Sequence, residues 1–290
     1  MTECDKLVIN AAITGMVPTK SDTPYVPITP AEILADVRRC YNAGASIVHV
    51  HARDASGKPH YSKTIFGEII RGVREQLPDM LISGSTSGRL HREFWQRSAV
   101  LDCGPDLASL TLGSLNFPKQ ASVNEPSMIQ QLAAAMNERG IVPELEFFDL
   151  GMIDYAHYLI GKGFLKKPFY GNLLLGSLGT LGATPANLVA MIRALPAGTV
   201  WSATGIGRFQ WPVNTWAITM GGHVRVGLED TLYYDKAKTQ LATNPGLIER
   251  VVKLARAAGR EVASAAEARR IIGLPESLSE SLEVATVRAA

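Results

Sequence analysis

Two histidines, His49 and His51, stand two residues apart in the apolar stretch SIVHVHARD. On a strand, residues i and i+2 point to the same side, about 6.6 Å apart along the chain, so the two imidazoles can close on one cation. A pair is incomplete as a catalytic zinc site, which usually takes three protein ligands, His₂Glu among the known sets. The stretch HVRVGLEDT offers the third. Read as a strand, it puts Arg225, Gly227 and Glu229 on one face and Val224, Val226 and Leu228 on the other. Asp230 follows where that strand gives way to a loop, a place for a general base. The plainer readings are core histidines satisfied by polar neighbours, a surface carboxylate at Glu229 and a turn-forming aspartate at Asp230.

Three further groups have the right types for chemistry. In PELEFF, Glu144 and Glu146 share a face, and paired carboxylates inside a fold are costly unless they serve a cation or a proton transfer; ion-paired structural acids are the alternative. In SGSTSG, Ser83, Ser85 and Ser87 share one face, which suits a loop whose hydroxyls and amides hold a carboxylate or oxyanion, or mere loop filler. Arg225, about 13 Å below Glu229 along an extended strand, must reach up to an acid, Asp230 or Glu146, or stay buried and unpaired. His91, His157 and His223 lack a comparable setting and are taken as structural or surface residues. His60 has no assignment.

These residues must be positioned by an alternating pattern of elements. Eight short runs rich in β-branched residues, at 7–14, 46–52, 81–86, 107–113, 143–148, 169–175, 199–204 and 223–229, read as strands apolar on both faces. Segments of helical period lie between and after them, at 30–43, 63–76, 89–100, 125–139, 151–162, 185–194, 212–221 and 244–258. Thr29-Pro30 and Thr184-Pro185 read as N-caps with proline in the first turn. Eight such units predict an α/β fold of the (β/α)₈ TIM-barrel type, a single domain over 1–290 with its barrel at about 7–260. In a closed barrel only the first strand separates the second from the eighth, so Glu229 can meet His49 and His51. EVASAAEARRIIGL predicts one extra C-terminal helix, and the last residues a surface tail or subunit contact. GIGRF at 205–209 is too poor a fragment of the dinucleotide fingerprint to support one.

Composition narrows the partners. A net charge of +2 with scattered lysines and arginines leaves no footprint for nucleic acid or an anionic membrane. The cysteines Cys4, Cys40 and Cys103 are odd in number without CxxC spacing, against a disulfide framework or thiolate zinc site. No basic leader and no apolar run of about 18–20 residues is present, so a cytoplasmic enzyme of small molecules is expected.

The motifs HVHARD, LTLGSLNF, PELEFFDLGM and VRVGLEDT, with TPAEILADVRRCYNAGASIVHVHARD, resemble the β-keto acid cleavage enzymes over roughly residues 7–260. The resemblance implies one Zn²⁺ per chain on His49, His51 and Glu229, with acetyl-CoA as co-substrate. It implies condensation of a β-keto acid with acetyl-CoA, releasing acetoacetate and a new acyl-CoA. By motif position Asp230 would be the base and Arg225 its partner, with Glu146, Ser85, Thr86, Gly88 and Ser109 facing substrate. A homotetramer is also implied. Members that cleave an amino-substituted keto acid carry an acidic residue just after the first strand. Here AITGMVPTK has Met16 and Val17, so the expected substrate tail is uncharged. Two other readings stand beside this one. A metal-dependent hydrolase of amidohydrolase type also uses HxH, but on the first strand. A non-catalytic barrel binding an acyl-CoA or organic acid would need no metal.

Overall fold

The computed structural model describes residues 5–117 and 120–275. Eight parallel strands close a barrel in sequence order: Ile9–Ala12, Ile47–Val50, Leu81–Gly84, Leu107–Thr111, Val142–Phe147, Tyr170–Leu175, Val200–Gly205 and His223–Val226. The first strand pairs with both the second and the eighth, with Ala12 beside His49 and Ala11 beside Val226. The expected TIM barrel is therefore present. Around it lie α1 (Pro30–Ala43), α2 (Lys63–Gln76), α3 (Phe94–Arg97), α4 (Pro126–Glu138), α5 (Leu150–Gly161), α6 (Pro185–Ala194), α7 (Gln210–Thr219), α8 (Asn244–Ala257) and α9 (Ala265–Ile272).

The helix starts follow the local chemistry of the chain. Thr29 accepts from the Glu32 amide while the Glu32 carboxylate accepts from the Thr29 amide, and Pro30 pre-sets the first turn of α1. Thr184 caps α6 by accepting from the Asn187 amide, with Pro185 in the first turn. The helix expected over 89–100 is confined to Phe94–Arg97, followed by a 3-10 turn at Ala99–Cys103. Upstream, Arg89 lies over the Phe117 ring and His91 sits edge-on to Tyr61, side-chain partnerships that hold this segment as a loop.

Several strands are shorter than their apolar runs. The second stops at Val50, and Ala52–Arg53 instead pairs with Pro59–His60 in a small hairpin. A second hairpin joins Leu115–Asn116 to Ala121–Ser122. Nor is the barrel interior apolar throughout. Residues facing the helices are apolar, such as Ile9, Val48, Ile82, Leu145, Leu173 and Val224. The inner layer at the N-terminal end is apolar too, built from Val8, Ile47, Leu81, Leu107, Val142 and Tyr170. Above it the interior turns polar: Asn10, His49, Ser83, Glu144, Asn172 and Arg225 are all buried there. Such a layer is stable only if its members satisfy one another.

The extra helix expected after residue 260 is α9, capped by a reciprocal Ser264–Glu267 pair. Val262 bridges to Leu7, and Ala268, Ile272 and Leu274 pack onto the inner apolar layer, closing the barrel's N-terminal end. Arg269 donates to Asp106, which also holds Arg74 and the Ile82 amide. The tail expected beyond it, like Cys4, lies outside the described residues.

Candidate metal centre and the acid cluster beneath it

His49 projects from the second strand and His51 from the residue just past its end. Their rings meet nearly edge-on, with centroids 5.1 Å apart. His49 Nε2 lies 3.2 Å from His51 Nε2, and His51 Nε2 lies 3.2 Å from Glu229 Oε1. The second Glu229 oxygen is 3.9 Å from His49 Nε2 and is buried without a hydrogen-bond partner. All three ligand atoms fall within 4.8 Å of one another.

Glu229 arrives by another route than an extended strand would give. The eighth strand ends at Val226, and the chain turns at Gly227, where a Cβ would lie 2.0 Å from the Ala12 carbonyl oxygen. The Glu229 amide donates to Ala12 and the Asp230 and Thr231 amides to Gly227. This turn folds the carboxylate back over the first strand. Gly15, at φ +63°, passes directly beneath, where a Cβ would come within 2.6 Å of Glu229 Cγ. Only glycine tolerates both that conformation and that approach. Asn244 clamps the turn from α8: its Oδ1 accepts from the Leu228 amide, and its Nδ2 donates to the Ile13 carbonyl and Asp36.

The turn also shortens the expected 13 Å between Arg225 and Glu229 to one hydrogen bond. Arg225 is buried and donates to Glu229 (2.7 Å), to both oxygens of Asp230 (2.9 and 3.3 Å) and to Glu146 (3.4 Å). It thus meets both acids proposed for it and the metal-ligand candidate as well. Glu146 accepts from Thr111 at 2.6 Å. Behind His49, the Nδ1 faces Ser83 Oγ at 3.3 Å and Glu144 Oε2 at 3.5 Å, and Glu144 in turn accepts from Ser83, Asn10 and Asn172. A carboxylate behind an imidazole fixes its tautomer, leaving the Nε2 lone pair aimed at His51.

The donor set fits a divalent cation. Two ligand atoms about 2.0–2.1 Å from one zinc ion at a tetrahedral angle would be roughly 3.3 Å apart, and the His49–His51 and His51–Glu229 separations are both 3.2 Å. Two imidazole nitrogens face each other, a carboxylate oxygen is orphaned, and three acids, Glu146, Glu229 and Asp230, share one guanidinium, Arg225. A bound dication would satisfy all three conditions.

The titration behaviour divides these groups. At His49, burial weighs against the charged ring, but Glu229 and the Glu144 contact overcome it and the pKa rises. At His51 burial prevails and the pKa falls. Burial would lift Glu229, yet Arg225 and then the two histidines hold it well below the ordinary carboxylate range. In Asp230 burial wins over Arg225, with Glu229 adding to it, and the pKa is raised. Neighbouring carboxylates pushed in opposite directions are the pattern of an ionised ligand beside an acid–base group.

The serine loop departs from a single face. The third strand ends at Gly84, so Ser83 points into the barrel toward Glu144, whereas Ser85 and Thr86 lie at the rim. Thr86 binds Ser109 twice, by its amide to the hydroxyl and by its hydroxyl to the carbonyl. Gly88 is pressed against Arg97, 2.7 Å from where a Cβ would be. Ser85, Ser87, His51, Met16 and Arg97 line a cavity of about 20 Å³. Burial depresses Arg97 to about 10, and its guanidinium donates to the Thr86 carbonyl and Asn124.

Sequence reasoning missed several contributors. His60 and His91, one left unassigned and the other taken as structural, both line the small cavity around Tyr61. Arg97 and Asn244 sit in helical stretches with no motif to mark them. Arg53 of HVHARD secures the loop after the first strand through the Gly15 and Thr14 carbonyls, and Asp54 caps its own turn. Of the other histidines, His157 binds the Ala194 carbonyl and His223 Nδ1 accepts from the Val8 amide.

The family model described as beta-keto acid cleavage enzyme matches residues 6–274. The chain is 41% identical over 271 residues to a 3-keto-5-aminohexanoate cleavage enzyme of Fusobacterium nucleatum, covering 93% of this chain and 98% of that one. It is 36% identical to a 3-oxoadipate:acetyl-CoA acetyltransferase of Cupriavidus necator, covering 92% and 95%. Among solved structures, apo ObcA superposes with a TM-score of 0.77 at 22% identity, over 88% of this chain and 66% of ObcA, a likeness of fold.

Proposed function

Because the chain belongs to the β-keto acid cleavage enzyme family, we propose that it condenses a β-keto acid with acetyl-CoA in a zinc-dependent exchange of acyl groups. The keto acid R–CO–CH₂–COO⁻ and acetyl-CoA become acetoacetate and R–CO–CoA, with no carbon lost and no oxidant needed. One observation carries the reading: a three-ligand cluster stands beside an aspartate that is buried, raised in pKa and held on both oxygens by Arg225.

His49, His51 and Glu229 would hold the zinc, which when bound supplies Lewis acidity toward the oxygens of the keto acid. Asp230 is the base for the C2 proton, its raised pKa bringing it toward the working pH. Arg225 fixes its orientation and favours its ionised form. Ser85, Thr86, Gly88 and Ser109 shape the rim that orients the substrate carboxylate, and Glu146, tied to Thr111 and Arg225, faces the same space. Glu144 keeps His49 in the tautomer that presents Nε2.

Met16 lines the small cavity together with His51 and Arg97. An ammonium group on the substrate tail would find an apolar side chain and a cation there, so the preferred substrate lacks an amino substituent. The test is a panel of amino-, alkyl- and carboxyl-substituted β-keto acids with acetyl-CoA, following acetoacetate, with zinc measured per chain. Turnover of at least one non-amino substrate, lost in His49→Ala and in Asp230→Asn, is expected. Undiminished turnover in both variants would refute the site, and amino-substrates turned over as well as alkyl ones would refute the specificity.

A further inference from the structure

The metal-ligand cluster stands between two spaces of unequal size. On the side of the second and third strands is the cavity of about 20 Å³ that His51 lines. On the side of the seventh and eighth strands is a groove of about 790 Å³, with the buried Asp230 and the partly exposed Glu229 at its inner end and the exposed Arg208, Lys236 and Lys238 at its rim. We propose that this groove receives the pantetheine arm and 3′-phospho-ADP of coenzyme A, with Arg208, Lys236 and Lys238 taking its phosphates. The inference rests on the acyl-CoA reading above and gives it an address on this chain.

Three observations support the assignment. The groove's volume falls in the range that encloses a large ligand, whereas the small cavity has room for only a few atoms. Its walls change character along its length, from the reactive carboxylates past Val17, Ile206 and Leu232 to the cationic rim, as a thioester on an apolar arm ending in phosphates requires. Among the described residues, the three rim cations have no carboxylate partner: Arg208 lies over the Phe209 ring at 4.8 Å, and Lys238 is 5.8 Å from the Tyr233 ring centre.

The acids on the same walls are committed to their own turns. The Asp235 carboxylate accepts from the Thr239 and Gln240 amides, and Asp22 accepts from the Thr19 amide and hydroxyl. The Asp235 turn also holds Lys238 at φ +60°, the one left-handed non-glycine residue among those described. Strain of that kind gathers at ligand clamps. The groove then brings the thioester to the ligand cluster from the side of the seventh and eighth strands.

The test is steady-state kinetics on the zinc-loaded enzyme with acetyl-CoA and with S-acetyl-pantetheine, which lacks the phosphates. In the triple variant Arg208→Gln, Lys236→Gln, Lys238→Gln the KM for acetyl-CoA should rise about tenfold or more, with the KM for the keto acid unchanged. Wild-type enzyme should show a similarly raised KM for S-acetyl-pantetheine, which the triple variant does not raise further. Lysine-to-arginine replacements should keep the wild-type value. A KM for acetyl-CoA within twofold of wild type would overturn the assignment. Calorimetric titration with CoA itself decides the groove independently of turnover. Equal affinity in wild type and triple variant overturns it, whereas weakened CoA binding without turnover of any keto acid leaves the groove standing and sinks the reaction.

Discussion

Replacing Asn244 by alanine tests the claim that the site is set by the turn after the eighth strand. The side chain is buried and holds three partners: the Leu228 amide at 2.8 Å, the Ile13 carbonyl at 2.9 Å and Asp36 Oδ2 at 2.6 Å. Truncation leaves a donor and two acceptors unpaired in the interior, and each costs about 1–3 kcal/mol. Asp36 keeps Arg39 on its other oxygen, so its share is the smallest. Relaxation of the turn lowers the sum to roughly 3–5 kcal/mol, a large part of a total stability of about 5–15 kcal/mol. Leu228 precedes Glu229, so the same loss should loosen the carboxylate and weaken zinc. Urea unfolding with and without zinc reads both effects, since bound metal stabilises the native state by an amount set by its affinity. A change in unfolding free energy below about 1 kcal/mol, with an unaltered zinc-dependent increment, would show that the amide does not set the turn.

Other perturbations bear on the same framework. Glu144→Gln should weaken zinc binding about 10–100-fold by removing the charge behind His49, measured by competition with a chromogenic chelator. Gly15→Ala should cost about 1–2 kcal/mol in backbone strain and weaken zinc further by displacing Glu229, so unfolding midpoint and metal affinity should fall together. His223 gives a pH signature. Burial, and then Arg260, push it down to about 3 from the ordinary 6.5, while its Nδ1 accepts from the Val8 amide. The unfolded chain therefore takes up a proton near pH 6.5 that the native protein refuses. The contribution is complete above about pH 6.5 and is lost progressively as pH falls toward 3, by up to about 1.4 kcal/mol per pH unit. In urea titrations across that window His223→Asn, which can still accept from Val8, should show the shallower slope.

Much of this arrangement can be read from the residues, and its failures have physical causes. The HxH spacing and the closure of the barrel bring Glu229 to the imidazoles, because both follow from strand periodicity and neighbour order. The path is misread, since seven residues from His223 to Glu229 alternate as a strand should. The turn packs Gly227 against the Ala12 carbonyl of the first strand, which accepts from the Glu229 amide, a contact that lies in three dimensions and not in the local pattern. Strands that read as apolar on both faces do not reveal that Asn10 and Asn172 join the inward-facing polar layer. Glu144 and Glu146 could be placed on one face by their spacing, yet their different duties, behind His49 and beside Arg225, depend on partners contributed by six other strands. Asn244 was out of reach for the same reason, as an asparagine at the start of a helix looks like part of a cap.

The plug formed by α9 bears on how the molecule is made. A ribosome delivers that helix after all eight strands and every residue of the ligand cluster have emerged. Until then the ring of Val8, Ile47, Leu81, Leu107, Val142 and Tyr170 has nothing to shield it from water at the barrel's lower mouth. Sealing of the barrel is therefore a late, post-emergence event. Docking of Ile272 and Leu274 then covers the last apolar layer that closure of the barrel leaves open.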